Sequence, residues 1–306
     1  MRVVVTGGSG FIGSHVVEAL HRRGCEVVSV DLNASQYAPE GVEALRLDVR
    51  DEAALREVLR EVDAVVHLAA LVDARESLYE PSRYHDVNVG GTLALLKACR
   101  DAGVGRVVLA SSAAVYGNPA RVPVSEDHPL RPLNPYGATK VACEAYASAF
   151  HHSYGLPVVI LRIFNAYGPR QTRAYAGVVS IFVRNALMGR PLVIYGDGEQ
   201  TRDFIYVSDV VRAIVAAVES GVEFGVFNVG TGRQTSVNEL ARLVLELTGR
   251  PDLQVVHREG VPGDVRHSCA DVTRIARELG WRAEVGLREG LRRTIEWYRS
   301  GAARAR

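Results

Sequence analysis

The chain opens on a β-branched run, Arg2 to Thr6, which leads straight into Gly7-Gly8-Ser9-Gly10-Phe11-Ile12-Gly13. Apolar positions Ile12, Val16, Ala19 and Leu20 then recur at helical spacing. That order predicts a buried strand, a tight turn and a helix. Similar units follow. Glu26 to Val30 is an apolar run closed by Asp31, and Ala44 to Leu47 one closed by Asp48. Ala64 to Leu68 ends in Ala69-Ala70, and Arg106 to Ala110 leads into Ser111-Ser112. The spacing predicts helices over 51–60, 86–101 and 135–153, and a sixth strand over Val158 to Ile163. The strand runs are apolar without alternation, the mark of a parallel sheet covered on both faces. The expected class is therefore α/β: a Rossmann-type doubly wound parallel sheet, occupying residues 1–165.

Beyond residue 165 the pattern loosens. Loops rich in Gly, Pro and Arg occupy 165–176, 196–203 and 258–268, and helices are predicted at 208–219, 236–248 and 286–299. A smaller C-terminal α/β part for substrate binding is expected over 166–306, with a segment near 205–235 crossing back to the sheet.

Composition narrows the class. Apolar residues make up 47% and charged residues 23% of 306, as in a globular protein. A net charge of +1 gives no global footprint for nucleic acid or membrane. Cys25, Cys99, Cys143 and Cys269 have no paired spacing, so neither a disulfide framework nor a metal site is expected. No leader-like N-terminus and no apolar run of membrane-spanning length are seen, and a cytoplasmic location is expected. The basic tail from Arg299 to Arg306 reads as a solvated end.

The candidate chemistry starts at the glycines. Gly7, Gly10 and Gly13 between a strand and a helix let the backbone approach a pyrophosphate, which the helix N-terminus then attracts. Asp31 closes the second strand 18 residues past Gly13, where a carboxylate accepts from an adenosine ribose and repels a 2′-phosphate. NAD is the expected cofactor. Asp48 ends the third strand near the expected adenine, and capping the helix before Glu52 is its alternative. Ala69 and Ala70 allow close approach of a cofactor, or simply pack. Further on, Asn134 and Pro135 predict a helix start. Tyr136 and Lys140 then share one face, and a fixed ammonium one turn from a phenol favours the phenolate. Lys140 is one of only two lysines among 36 Lys and Arg.

These residues carry a likeness. Thr6-Gly7-x-x-Gly10-x-x-Gly13, His67-Leu68-Ala69-Ala70, Asn88-Val89-x-Gly91-Thr92, Ser111-Ser112-Ala113-Ala114-Val115-Tyr116-Gly117 and Tyr136-x-x-x-Lys140 resemble the extended short-chain dehydrogenase/reductases. Arg162 to Pro169, Gly196 to Phe204 and Gly263 to Ser268 extend the likeness over nearly the whole chain. Within that family the chain resembles the nucleotide-sugar enzymes, most of all the UDP-glucose 4-epimerases.

The resemblance implies a cytoplasmic isomerase of galactose metabolism that oxidises C4 of a UDP-hexose transiently and reduces it again on the other face. Tyr136 is then the acid/base at the 4-hydroxyl, Lys140 holds the nicotinamide ribose and lowers the Tyr136 pKa, and Ser112 bonds the reacting oxygen. Implied cofactor contacts are Gly7, Gly10, Phe11, Ile12, Gly13, Asp31, Asp48, Val49, Leu68, Ala69, Ala70, Asn88 and Ser111, besides Tyr136 and Lys140. Implied substrate contacts are Ser112, Asn165, Tyr195, Arg202, Arg266 and Ser268. Arg202 and Arg266 are candidate pyrophosphate clamps, Tyr195 lines the uracil or packs in the core, and the small Ser268 admits N-acetylated sugars. A homodimer through the helices at 86–101 and 135–153 is also implied. Related dehydratases and decarboxylases of dTDP-glucose or UDP-glucuronate carry an acid before the Val-Tyr-Gly; here those positions are Ala113 and Ala114. A catalytically silent NAD-binding regulator is a remaining alternative, against which Ser112, Tyr136 and Lys140 speak.

Overall fold

A computed structural model describes residues 1–171, 177–260 and 265–301. Gly263 and Asp264 of the Gly263–Ser268 motif, and the tail beyond 301, lie outside the described residues.

The first half alternates as the pattern predicts: β1 (Arg2–Thr6), α1 (Phe11–Arg22), β2 (Glu26–Asp31), β3 (Glu43–Arg46), α2 (Glu52–Val58) and β4 (Ala64–His67). α2 starts one residue later than expected, because Asp51 caps it: its side chain accepts from the Ala54 N–H at 3.0 Å. A short α3 (Pro81–Tyr84) runs through a π-helical stretch, His85–Gly90, into α4 (Gly91–Ala102). β5 (Arg106–Ser112), α5 (Pro135–Tyr154) and β6 (Val158–Ile163) complete this half.

The second half is richer than its sequence suggests. β7 (Asn165–Tyr167), α6 (Val178–Leu187), β8 (Leu192–Tyr195), β9 (Thr201–Arg202) and β10 (Phe204–Tyr206) precede α7 (Val207–Glu219). β11 (Phe224–Val229), β12 (Thr235–Ser236), α8 (Val237–Thr248), β13 (Val255–Arg258), α9 (Thr273–Glu278) and α10 (Leu287–Arg299) follow.

The main sheet has seven parallel strands in the order β3-β2-β1-β4-β5-β6-β11. The order reverses direction between β1 and β4, and ligands of such sheets bind in the crevice at that point. β11 is the expected return to the sheet: it pairs β6 in register from Phe224 with Val158 to Val229 with Ile163. Successive strand residues face opposite layers. Val3 and Val5 belong to the core shared with α1, α7 and α8, while Val4 belongs to the core shared with α2, α4 and α5. Both faces are dry, which is why the strands read as unbroken apolar runs. The short strand pairs β7–β10, β9–β12 and β8–β13 lie outside this sheet.

Candidate active site

The turn between β1 and α1 is built by glycine. Gly7 sits at φ +71°, and a Cβ there would fall 2.7 Å from the Ala69 nitrogen. A Cβ on Gly13 would fall 2.0 Å from the Gly7 carbonyl oxygen. The turn is therefore pressed against the end of β4 and against its own helix, with no room for a side chain. Helix α1 has no side-chain cap and no acid in its first turn. By contrast Asp51, Asn134 and Ser236 cap α2, α5 and α8. An uncapped helix start at the sheet's crevice is what an anion such as a pyrophosphate takes.

A cleft of roughly 530 Å³ opens there. Gly7, Gly10, Phe11, Asp31, Asp48, Val49, Leu68, Ala69 and Ala70 line it. Ile12, half-buried, packs against the core beside them. The Asp31 carboxylate accepts from the Ser9 N–H at 3.1 Å and the Asn33 N–H at 2.9 Å, so two backbone donors aim it into the cleft. Asp48 caps no helix. Its carboxylate forks onto Arg50, which holds it below the usual carboxylate range. Ser9, Asn33, Gln36, Tyr37 and Arg50 also line the cleft and were not anticipated. They belong to loops whose course is set by the sheet rather than by any local periodicity.

Two expected cofactor residues do something else with their side chains. Asn88 is buried: its amide donates to the Leu71 carbonyl at 2.9 Å and to Thr139 at 3.0 Å, and accepts from the Leu71 N–H at 2.8 Å. It fixes the loop after β4 against α5. Ser111 donates to Glu144 and turns away from the cleft. The strand pleat explains this, since Ser111 and Ser112 must face opposite ways. Beneath the turn lies a wholly buried histidine. Thr6 Oγ1 is 2.7 Å from His67 Nδ1, and Thr92 Oγ1 is 3.1 Å from His67 Nε2. Burial first, and then the Lys140 charge, push the His67 pKa down to about 3, so it is neutral.

Tyr136 and Lys140 stand one turn apart on α5. Asn134 Oδ1 caps the helix by accepting from the Gly137 N–H at 2.8 Å, with Pro135 next in line. The Tyr136 N–H donates to Ser77 Oγ at 3.1 Å. Lys140 is buried and donates to the Ala110 carbonyl at 2.9 Å, near the end of β5, which leaves two of its N–H groups. Ser112 accepts from the Ala114 N–H at 3.2 Å, and its own O–H stays available to a ligand. One turn past Lys140, Glu144 forms a buried pair with Arg162 at 2.7 Å. Arg162 also donates to Tyr116 Oη at 2.9 Å and to the Glu126 carbonyl at 2.8 Å, and Tyr116 donates to Asn228 at 2.6 Å. This network ties β5, α5, β6 and β11 together behind the reacting face.

The expected substrate residues come from the second half. Asn165 is exposed, and its backbone N–H donates to the Asp203 carbonyl at 3.0 Å. Tyr195 is 40% exposed with the Arg75 guanidinium 5.4 Å over its ring, so core packing is not its role. Arg202 donates to the Thr201 carbonyl at 2.9 Å. Arg266 is forked onto Asp197 at 2.7 and 2.9 Å, and that guanidinium draws the Asp197 pKa down to about 2. Ser268 is half-buried and held through its N–H to the Thr201 carbonyl at 3.1 Å. Buried Asp203 sets this arrangement, accepting from Thr231, Gly232 and Ala270.

Residues 3–230 match the family model for the NAD dependent epimerase/dehydratase family. The UDP-glucose 4-epimerase of Mycolicibacterium smegmatis is 40% identical over 312 residues, covering 98% of this chain and 99% of that one. A crystal structure of a UDP-glucose 4-epimerase with UDP-glucose from Thermotoga maritima superposes with a TM-score of 0.95 at 40% identity, over 99% of this chain and 100% of that one. A Thermus thermophilus UDP-glucose 4-epimerase complex with NAD gives 0.91 at 40% identity, over 98% and 99%.

Proposed function

We infer that this chain, which belongs to the NAD dependent epimerase/dehydratase family, is an isomerase that interconverts the C4 epimers of a UDP-hexose. NAD is its cofactor. The observation that carries the reading is the conjunction of a glycine-built cradle at an uncapped helix start with Ser112, Tyr136 and Lys140 at the adjoining strand and helix ends.

NAD, which the Gly7–Gly13 turn and Asp31 would hold, would supply the acceptor and donor of the C4 hydride. The residues do the rest. Tyr136 takes the 4-hydroxyl proton as the carbon is oxidised and returns it afterwards. Ser112 donates its free O–H to the same oxygen, and the buried Lys140 ammonium stabilises negative charge near the phenol. Asp31 holds the adenosine ribose, with Asp48 beyond it. Asn88 positions the Leu71 loop rather than touching the cofactor. On the substrate side Arg202 and Arg266 grip the diphosphate, Arg266 exchanging Asp197 for phosphate oxygens, while Tyr195 lines the uracil and Asn165 the neighbourhood of the diphosphate. Ser268, being small, leaves room for an N-acetyl group at the sugar.

Elimination or decarboxylation needs a second acid at the keto sugar. Ala113 and Ala114 supply none, and the buried Glu144 is already committed to Arg162 and Ser111. Incubation of the holoenzyme with UDP-glucose and with UDP-N-acetylglucosamine should therefore yield the two galacto epimers. A dehydrated or decarboxylated product would contradict the reading, and turnover of UDP-glucose alone would remove Ser268 from it.

We further propose that the chain works in the cytoplasm, in galactose metabolism, as a homodimer. Among the described residues no helix is long and apolar enough to cross a membrane. The dimer reading rests on α5, whose outward face carries an apolar strip of exposed Ala138, Ala145, Tyr146 and Ala149. Phe150 is taken up by the monomer core and is not part of it. The division at residues 165 and 166 is likewise a functional one, with β11 returning to the sheet.

A further inference from the structure

The cofactor cleft has two walls, and they are fastened together from outside. One wall is the glycine turn with α1. The other is the loop after β2, residues 32–37, which carries Tyr37 on the cleft. At its near end that loop is tied by Ser9, whose hydroxyl donates to the Asn33 carbonyl at 2.7 Å. At its far end the tie comes from the other half of the chain. Arg170, three residues past β7, places its guanidinium 4.4 Å from the centre of the Tyr37 ring. The same guanidinium pairs with Glu18 of α1 at 2.6 Å and donates to the Ser14 carbonyl at 3.1 Å. Only 16% of the Arg170 side chain and 23% of the Glu18 side chain is exposed, so this pair is shielded more than an ordinary surface bridge.

The neighbouring residue holds the segment in place. His15 Nε2 lies 3.0 Å from the Pro169 carbonyl, and burial pushes the His15 pKa down to about 4. A neutral imidazole with its proton on Nε2 is thus the donor. The Arg170 backbone itself sits at φ +68°, in the left-handed region that residues with a Cβ avoid. Its contacts, not its backbone preference, hold it there.

We propose that Arg170 is a retention residue for the dinucleotide. By bridging Glu18 and Ser14 of α1 to Tyr37, it keeps the loop at 32–37 closed on the adenosine side and sets how slowly the cofactor leaves. A ligand seated between the two walls departs only when they part, and Arg170 touches both. The inference rests on the NAD reading above. It also links the two halves of the chain: the segment that leads into the substrate-binding part fastens the cofactor.

The test is the exchange of bound NAD for radiolabelled NAD in excess, in the wild type and in Arg170→Met, Arg170→Lys and Glu18→Gln. Arg170→Met keeps the aliphatic stem but loses the charge and the planar face. It should release NAD roughly tenfold faster, the equivalent of about 1.4 kcal/mol. Arg170→Lys restores the charge without the stacking plane and should fall between the two. Arg288→Met, which removes a surface pair with Glu246 on the far helices, should match the wild type. Exchange at the wild-type rate in folded Arg170→Met overturns the proposal, as does equal acceleration in Arg288→Met. If Arg170→Met fails to fold, Glu18→Gln takes its place: faster exchange supports the proposal and the wild-type rate overturns it. A wild type that binds no NAD would instead sink the cofactor reading.

Discussion

Tyr136 owes its position to neighbours that do no chemistry. Asn134 caps its helix, Ser77 holds its backbone N–H, and Lys140 is itself held by Ala110. Tyr136→Phe keeps every one of these contacts and removes only the hydroxyl. It should lower kcat by about 10²- to 10⁴-fold while NAD still binds. A variant turning over at the wild-type rate would remove Tyr136 from the reaction. At this scale the sequence was legible wherever the cause was local. The Asn134 cap, the Tyr136–Lys140 spacing and the glycine turn all follow from neighbours within a few residues. Ser77 was not legible, because it meets Tyr136 across 59 positions. Nor was the direction of Ser111, which hinges on strand pleat and on Glu144. Asp48 and Asp51 are a case where two acids compete for one cap and only the backbone decides between them.

Helix α5 is the element that joins the site to the fold. Tyr136, Lys140 and Glu144 follow one another at one-turn intervals, and the last two are bonded to the end of β5. Glu144 then needs Arg162, since an unpaired charge in that interior is costly. Replacing Arg162 by Met strands a buried carboxylate and should destabilise the protein by about 3–5 kcal/mol in urea unfolding. Replacing Glu144 by Gln together with Arg162→Met should recover part of that loss. No loss in the single variant would mean the pair contributes nothing. Helices announce themselves in sequence by a capping residue, as α5 and α8 do, or by a clear apolar stripe, as α7 and α10 do. α6 does not, because it is only ten residues long, Gly177 before it offers no side-chain cap, and its first turn carries no acid. The π-helical stretch before α4 is equally silent, since one extra residue per turn leaves the apolar spacing almost intact.

For the whole molecule, the strand order places β1 and β4 side by side at the reversal, and the cleft there is lined from the ends of β1, β2 and β4 and from the loop after β3. That much follows from alternating strands and helices. The second half was harder to read, because its strands are only two to six residues long and three of its strand pairs stand apart from the sheet. Their partners are fixed by tertiary contacts such as those of Asp203. The outward apolar strip of α5 leads to a prediction at this scale: the purified chain should sediment at twice the mass of one chain, and Tyr146→Glu should shift it toward the monomer. A monomeric wild type would leave that strip without a role.

The central claim is one reversible oxidation at a single carbon, and deuterium at that carbon tests it most directly. UDP-glucose labelled with deuterium at C4, turned over by the holoenzyme in ordinary water, should give UDP-galactose that keeps the deuterium at C4. Loss of the label to water in the epimer, or its appearance at another carbon of a dehydrated sugar, would contradict the account.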